Sequence, residues 1–233
     1  MQKSRIEWTD FTWNPITGCT NGCSYCYARR MASNPFYKKA FPHGFIPTFY
    51  PERLKDLNKK SIVSKKVFVC SMGELFGDNP DWTRDILFAI QNHPHTIFQL
   101  LTKQPENLAK WNFPPNAWVG TSVDNKYRLE PAIKYLKEVD AVIKFISFEP
   151  LLGDINDDKS EWYYLPNIDW VIIGARTQPL KLPNIKWVQN IISVANIKGI
   201  PVFLKDNLQS LFPGEKLKQE MPKCRSPYWD TEG

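Results

Sequence analysis

The chain has 233 residues, of which 42% are hydrophobic and 23% charged, a composition typical of a globular protein with a sizeable core. No apolar run approaches the ~20 residues of a membrane helix, and no signal-peptide core follows the polar N-terminus. Five cysteines, an odd number, argue against a disulfide framework. We therefore predict one cytoplasmic domain over residues 1–233, with no membrane span.

The net charge of +6 is unevenly distributed. Residues 26–66 contain ten Lys or Arg and two acidic residues, so this segment carries +8 and the rest of the chain −2. Aromatic residues are interleaved with the basic ones, a mixture typical of surfaces that contact both phosphates and bases. The segment from Arg29 to Lys66 is therefore predicted to bind nucleic acid. The alternative is a solvated lid whose aromatic residues pack on the domain.

Short apolar runs alternate with amphipathic stretches along the chain. Strands are predicted within residues 5–17 and at 66–71, 96–103, 118–123, 142–148, 170–174 and 201–205. Helices are predicted at 27–33, after Pro80, after Pro105, near 129–139 and between Pro183 and Gly199. Prolines interrupt residues 34–60, which we expect to form an irregular basic and aromatic excursion, and 153–167 is expected to be an exposed insertion.

Apolar strands that alternate with helices predict a parallel sheet covered on its outer face. The pattern fits a doubly wound sheet and most of a (β/α) barrel equally well. No Gly-x-Gly-x-x-Gly turn follows the first strand, which weakens a dinucleotide-binding interpretation.

Cys19, Cys23 and Cys26 lie within eight residues, in a C-x3-C-x2-C spacing. Such a loop can direct three thiolates toward one point, and thiolates favour iron–sulfur clusters, zinc or Cu(I). A structural zinc site usually has four ligands, and no obvious fourth lies nearby in sequence. Three thiolates suit a [4Fe–4S] cluster with one open iron. A zinc knuckle with a distant ligand, or buried thiols, are the alternatives.

The C-x3-C spacing followed by C-x-aromatic-C resembles the cluster loop of radical S-adenosylmethionine (SAM) enzymes. The resemblance implies a partial (β/α) TIM-like barrel of six or seven parallel strands, open on one side. It implies a [4Fe–4S] cluster and SAM as cofactors, and a reductant protein such as flavodoxin or ferredoxin. Met72-Gly73-Glu74 resembles the motif that holds the SAM ammonium in these enzymes, so Gly73 and Glu74 are predicted SAM contacts.

Other candidates are predicted from position, because chemistry in such barrels gathers at the carboxyl ends of the strands. The further predicted SAM contacts are Tyr25, Ser71, Lys103, Ser122 and Gly174, and the catalytic candidates are Glu149, Lys205 and Asp206. Cys70 lies in an apolar strand and is expected to pack in the core. Cys224 is expected either to close over the site or to have no role.

Several blocks resemble, more specifically, an uncharacterised phage-type family of three-cysteine radical SAM proteins. They span residues 6–10, 12–15, 71–76, 101–103, 148–153, 169–174 and 203–207. The chain departs from that family in its short spacer between the first two cysteines, and it lacks a glycine-rich turn after the sixth strand. The family's reaction is not known, so this resemblance implies cofactors and fold but no substrate.

The resemblance and the basic segment together predict a radical SAM enzyme that modifies or repairs a nucleic acid or nucleotide. One alternative is a radical SAM enzyme that modifies a peptide or protein, although such enzymes often carry extra domains. The other is a metal-bearing nucleic-acid-binding protein without catalysis. Cleavage of SAM separates this last class from the first two.

Overall fold

A computed structural model describes residues 1–77, 79–155, 168–223, 225–226 and 229–230. The helices are α1 (Tyr27–Ala32), α2 (Pro80–Gln91), α3 (Leu129–Glu138) and α4 (Ile185–Ile197). The strands are β1 (Gln2–Lys3), β2 (Phe11–Trp13), β3 (Ile16–Thr17), β4 (Thr48–Phe49), β5 (Lys66–Val69), β6 (Ile97–Thr102), β7 (Ala117–Ser122), β8 (Ile143–Phe148), β9 (Trp170–Ile173), β10 (Arg176–Thr177), β11 (Leu180–Lys181), β12 (Val202–Leu204), β13 (Arg225–Ser226) and β14 (Trp229–Asp230).

Eight of these strands form one sheet in the order β1-β2-β5-β6-β7-β8-β9-β12. All neighbours from β2 to β12 pair in parallel, and β1 adds an antiparallel strand at the edge. Parallel pairing places the carboxyl ends of seven strands along one edge, the carboxyl edge. Among the described residues the order does not return to β1. The predicted open arrangement of six or seven parallel strands is therefore confirmed.

Local sequence explains where the helices begin and end. The side chains of Asn79 and Asn184 accept hydrogen bonds from the backbone N–H groups of Asp81 and Lys186 at the starts of α2 and α4. Gly199 follows α4 with a φ of +66°, a conformation that favours glycine. Both helices therefore lie where the sequence predicts them.

The two faces of the sheet carry different side chains. One face packs against the helices in an aliphatic core that includes Val69, Val119, Ile146, Ile133 and Val188. The opposite face, the interior, is mostly aromatic and includes Phe68, Trp118, Phe145, Trp170 and Phe203, with Trp8 from the β1–β2 loop. These rings fill much of the interior beneath the carboxyl edge.

The aromatic layer depends on a glycine. Gly120 lies directly beside Phe145 on the neighbouring strand, and a Cβ at Gly120 would lie 2.6 Å from three ring carbons of Phe145. The absence of a side chain therefore lets the ring cross the neighbouring strand.

The predicted excursion at 34–60 contains short 3-10 turns at Pro35–Tyr37 and Pro51–Asn58, together with β4, which pairs with β3. Most of the predicted insertion at 153–167 lies outside the described residues, as does Cys224. No described helix is long and apolar enough to cross a membrane.

Candidate functional site at the carboxyl edge

The cysteine loop, residues 18–26, begins directly after β3. Gly18 has a φ of +86°, and a Cβ there would lie 2.4 Å from the carbonyl oxygen of Ile46, so the position requires glycine. The Gly18 N–H donates to the Met72 carbonyl at 2.9 Å, and the Gly18 carbonyl accepts from the Glu74 N–H at 3.2 Å. The loop is therefore attached to the segment that follows β5.

Two of the three half-buried cysteines accept backbone hydrogen bonds. The Asn21 N–H donates to Cys19 Sγ and the Arg29 N–H, at the start of α1, to Cys26 Sγ, both at 3.3 Å. Burial raises the pKa of the Cys19 thiol to about 11, and the negative charge of Glu74 adds to this rise. A bound metal supplies the positive charge that converts such a thiol into a thiolate.

Within the described residues, no three His, Cys, Asp or Glu side chains are arranged to hold a single metal ion. A tetrahedral zinc site places its sulfurs about 4 Å apart, because each Zn–S bond is about 2.3 Å long. In a [4Fe–4S] cluster each thiolate binds a different iron, so the sulfurs need not meet at one point. The donor set, three thiols on one loop with two N–H···S bonds, fits such a cluster.

Glu74 lies beside this loop in what we term the Glu74 cluster, with Asn21, Phe76, Thr102 and Lys103. Residue Glu74 is 8% exposed. Its Oε1 accepts from the Thr102 hydroxyl at 2.7 Å and the Phe76 N–H at 3.1 Å. Its Oε2 accepts from the Asn21 amide at 3.2 Å and the Lys103 N–H at 3.3 Å. Burial raises the pKa of Glu74, and these four bonds oppose that rise.

Tyr25 connects the cysteine loop to the middle of the sheet. Its hydroxyl donates to the buried carboxylate of Asp124, which follows β7 and pairs with Arg128 at 3.2 Å. The Lys103 ammonium lies 5.7 Å from the centroid of the Tyr25 ring, within the range of a cation–π contact. Burial and the Asp124 carboxylate raise the pKa of Tyr25, so the phenol stays protonated and keeps donating at neutral pH.

A second group of charged residues, which we term the Lys205 cluster, consists of the buried Lys205 with the partly exposed Glu149 and Glu7. Lys205 Nζ lies 2.5 Å from Glu149 Oε1 and 3.6 Å from Glu7 Oε2. Burial by itself would lower the pKa of Lys205, but the charges of Glu149 and Glu7 outweigh it and raise that pKa. Glu7 Oε1 also accepts from the Asp206 N–H at 3.1 Å. Since Glu7 lies in the β1–β2 loop, these contacts join the two ends of the sheet.

Gly174, at the end of β9, makes room for this ion pair. A Cβ at Gly174 would lie 2.9 Å from Lys205 Cδ and 3.2 Å from Glu149 Cγ. A side chain at this position would therefore displace Lys205, Glu149 or both.

The remaining predicted site residues are spread along the same edge. The Ser71 hydroxyl donates to Asn14 Oδ1 at 3.1 Å, and Ser122 is buried at the end of β7. The Asp206 carboxylate accepts from the Gln219 amide at 2.7 Å, so its partner is different from those of Lys205. Of the three catalytic candidates, the structure thus brings Lys205 and Glu149 together and directs the Asp206 carboxylate elsewhere.

The sequence does not single out Asn21, Thr102 or Glu7 as site residues. Asn21 lies between two of the cysteines and Thr102 directly precedes Lys103, so their positions carried a usable signal. Glu7 lies before the first parallel strand, where no strand-end rule applies. Glu7 belongs to the site through its contact with Lys205, which lies 198 residues later in the sequence.

The basic segment is divided between two regions of the molecule. Lys38 and Lys39 follow α1 and are exposed, and residue 45 of the same excursion accepts a hydrogen bond from the Cys19 N–H. Lys59 instead pairs with Asp56, and its neighbour Asn58 contacts His93, just before β6 begins. Because β6 starts at the amino edge of the sheet, Lys59 and Lys60 lie away from the cysteine loop.

Comparison with known proteins shows that the chain belongs to the family described as Protein of unknown function (DUF5131), whose model matches residues 3–220. No curated protein matches the chain. Its fold is similar to that of solved spore photoproduct lyase structures. A tyrosine mutant of that enzyme is 8% identical, with a TM-score of 0.57 and coverage of 87% of this chain and 78% of that one.

Two further structures of the lyase are cysteine mutants with bound molecules. One contains dinucleoside spore photoproduct, at 10% identity and a TM-score of 0.55, and the other contains AdoMet as well, at 9% identity and a TM-score of 0.53. Each match covers 91% of this chain and 77% of the other. At this level of identity the likeness shows a shared fold, and the phage-type assignment stays a prediction.

Proposed function

We propose that the protein is a radical SAM enzyme that modifies or repairs a nucleic acid or a nucleotide. When bound, the [4Fe–4S] cluster supplies the electron that cleaves SAM reductively to a 5′-deoxyadenosyl radical. Cys19, Cys23 and Cys26 would hold the cluster. A flavodoxin or ferredoxin is the predicted electron donor.

The protein's own groups bind and orient SAM in this proposal. No described residue donates a hydrogen bond to the Gly73 carbonyl, which is therefore available to the SAM ammonium. The Lys103 ammonium forms no ion pair with a described residue and is available to the SAM carboxylate. The other predicted contacts are Tyr25, Ser71, Ser122 and Gly174, whereas the predicted contact Glu74 already accepts four hydrogen bonds from the protein.

The observation that carries the proposal is the attachment of the cysteine loop to residues 72–74. Gly18 is bonded to both Met72 and Glu74, and Gly73 fits closely because a Cβ there would lie 3.0 Å from the Gly18 carbonyl oxygen. The three thiols and the predicted SAM-binding segment therefore form one unit at the carboxyl edge, where barrels of this kind place their chemistry.

The substrate class rests on the surface next to this loop. Phe36 is 84% exposed, and Lys38 and Lys39 beside it are exposed as well. No acidic residue occurs between Cys26 and Pro51. Cations of this kind bind phosphates, and exposed rings stack on bases. The dinucleoside spore photoproduct in a structural neighbour supports the same substrate class.

The proposal is tested by anaerobic reconstitution followed by reduction with dithionite in the presence of SAM. We expect a brown protein with about four irons that releases 5′-deoxyadenosine and methionine. A matched reaction without dithionite should release neither. A colourless protein with one zinc, unchanged by reconstitution, would contradict the proposal. A brown protein that leaves SAM intact would favour the non-catalytic alternative.

A further inference from the structure

The carboxylate of Glu74 is fully occupied by the protein. An ionised carboxylate has about four lone-pair sites, and Glu74 accepts four hydrogen bonds, two on each oxygen. Burial raises the pKa of Glu74, and all four hydrogen bonds are donated to it, which favours the charged form of the carboxyl group against that rise. Every donor is also a neutral group, and no cation in the described part of the chain pairs with Glu74. When the carboxyl group is ionised, its charge is therefore satisfied by dipoles, and no described cation cancels it.

This charge lies next to the cysteine loop. Asn21 donates its amide to Glu74 Oε2 and its backbone N–H to Cys19 Sγ, so one residue contacts both groups. Cys19 and Glu74 also line the same cavity of about 100 Å³. Charges interact more strongly in the protein interior than at the surface, so a charge on the buried Glu74 acts strongly on a group that Cys19 binds.

We propose that Glu74 is a positioning residue that fixes the turn between Cys19 and Cys23, and that its uncancelled negative charge lowers the reduction potential of the cluster. Reduction adds an electron to the cluster, and a nearby fixed negative charge opposes that step; local charge and hydrogen bonding are known means of setting such potentials. A low potential suits a cluster that must reduce SAM. This inference rests on the proposed function and leaves the SAM ammonium to the Gly73 carbonyl.

The test is a redox titration of the reconstituted protein, followed by electron paramagnetic resonance. Glu74→Gln removes the charge and should shift the potential to a more positive value at unchanged iron content. Glu106→Gln is the control, because this exposed carboxylate is screened by water and its loss should leave the potential unchanged. Thr102→Val removes one donor but keeps the charge, so it should give no positive shift. Equal positive shifts in Thr102→Val and Glu74→Gln would overturn the role of the charge.

A second variant keeps the inference testable if Glu74→Gln does not fold or hold iron. The Gln104 amide donates to Asn21 Oδ1 at 2.8 Å, and a lysine at position 104 can make the same donation while adding a positive charge. Gln104→Lys should therefore also shift the potential to a more positive value. An unchanged potential in every charge variant that holds a cluster overturns the inference alone. A wild-type protein that takes up no iron overturns the proposed function, and this inference with it.

Discussion

The Glu74 cluster and the Lys205 cluster both hold carboxylates at the carboxyl edge, but they stabilise them differently. Glu74 is held by four neutral donors, which lie in the cysteine loop, after β5 and at or directly after the end of β6. Glu149 and Glu7 are held by the ammonium of Lys205, which follows β12. Neutral dipoles satisfy a carboxylate without cancelling its charge, whereas the single Lys205 ammonium cancels the charge of one of its two carboxylates.

This difference indicates different roles. The uncancelled charge of Glu74 remains available to act on whatever the cysteine loop binds. The Lys205 cluster instead uses opposite charges to connect β8, β12 and the β1–β2 loop, which closes the open side of the sheet through side chains. The contrast therefore separates a region that sets the properties of the proposed cofactor from one that holds the interior together.

The largest expected effect is loss of iron when the cysteine loop is changed. Cys19→Ala, Cys23→Ala or Cys26→Ala should each reduce iron from about four per chain to near zero, because a cluster with one iron already open cannot spare another thiolate. Cys70→Ala and Cys224→Ala should retain the iron, as should Lys205→Met. Iron analysis and visible absorption after reconstitution measure this. Full iron content in any of the three loop variants would remove that cysteine from the ligand set.

The second prediction concerns the free energy of unfolding. Lys205→Met leaves Glu149 and Glu7 without their cation and should cost about 3 kcal/mol, the lower end of the range for breaking a buried pair, since both carboxylates keep some exposure. Lys59→Met is the control, because the Lys59 side chain is exposed and Asp56 keeps the N-terminal ammonium as a second cation, so this pair should contribute less than about 1 kcal/mol. Denaturant unfolding measures both. Equal costs in the two variants would show that the Lys205 cluster is not a special element of stability.

The pH dependence of this stabilisation has a definite sign. The folded protein raises the pKa of Lys205, so the contribution is complete below the unfolded-state pKa of about 10.4 and is lost as pH rises through the folded-state value. The difference between wild type and Lys205→Met should therefore be constant from pH 7 to 9 and shrink above about pH 10.4. A difference that shrinks on acidification within the neutral range would point to another group.

The order of strands and helices could be predicted because buried positions are apolar, and the spacing of apolar residues along the chain differs between strands and helices. Residues 170–173 are buried on both faces of the sheet, so they appear as one apolar run without alternation. Asn79 and Gly199 mark helix ends through backbone chemistry that needs no tertiary contact. The choice between a doubly wound sheet and an open barrel depends on which strands are neighbours, and apolar patterning does not encode this.

The candidate site could be predicted in part for the same reason. Three cysteines on one loop are a local feature, and Glu149 and Lys205 each follow an apolar run. Their pairing depends on β8, β9 and β12 lying side by side. The space that Gly174 leaves for two side chains becomes visible when both neighbours are in place.

A further prediction concerns the space that Gly174 leaves for Lys205 and Glu149. Gly174→Ala should cost about 1–3 kcal/mol, because its Cβ would meet Lys205 Cδ at 2.9 Å and the ammonium is held by two carboxylates. The cost should fall in a Lys205→Ala background, where the clashing atom is absent, which makes this a double-mutant cycle. Gly153→Ala is the control, since a Cβ there meets nothing within 4 Å. Additive costs in the cycle would argue against direct contact.

The smallest expected effect distinguishes the two parts of the basic segment. Lys38 and Lys39 lie near the cysteine loop, whereas Lys59 and Lys60 lie toward the amino edge of the sheet. Each lysine that meets a phosphate releases counterion, so changing Lys38 and Lys39 to Ala should flatten the log–log salt dependence of binding by about 1.4 units for single strands or about 1.8 for duplex. Changing Lys59 and Lys60 to Ala should leave that slope unchanged.

Salt-titrated binding to duplex DNA, single-stranded DNA and RNA measures both variants, while iron content and SAM cleavage should be retained in each. Equal slopes in both variants and wild type would indicate a solvated lid, and no binding near physiological salt would favour a peptide substrate.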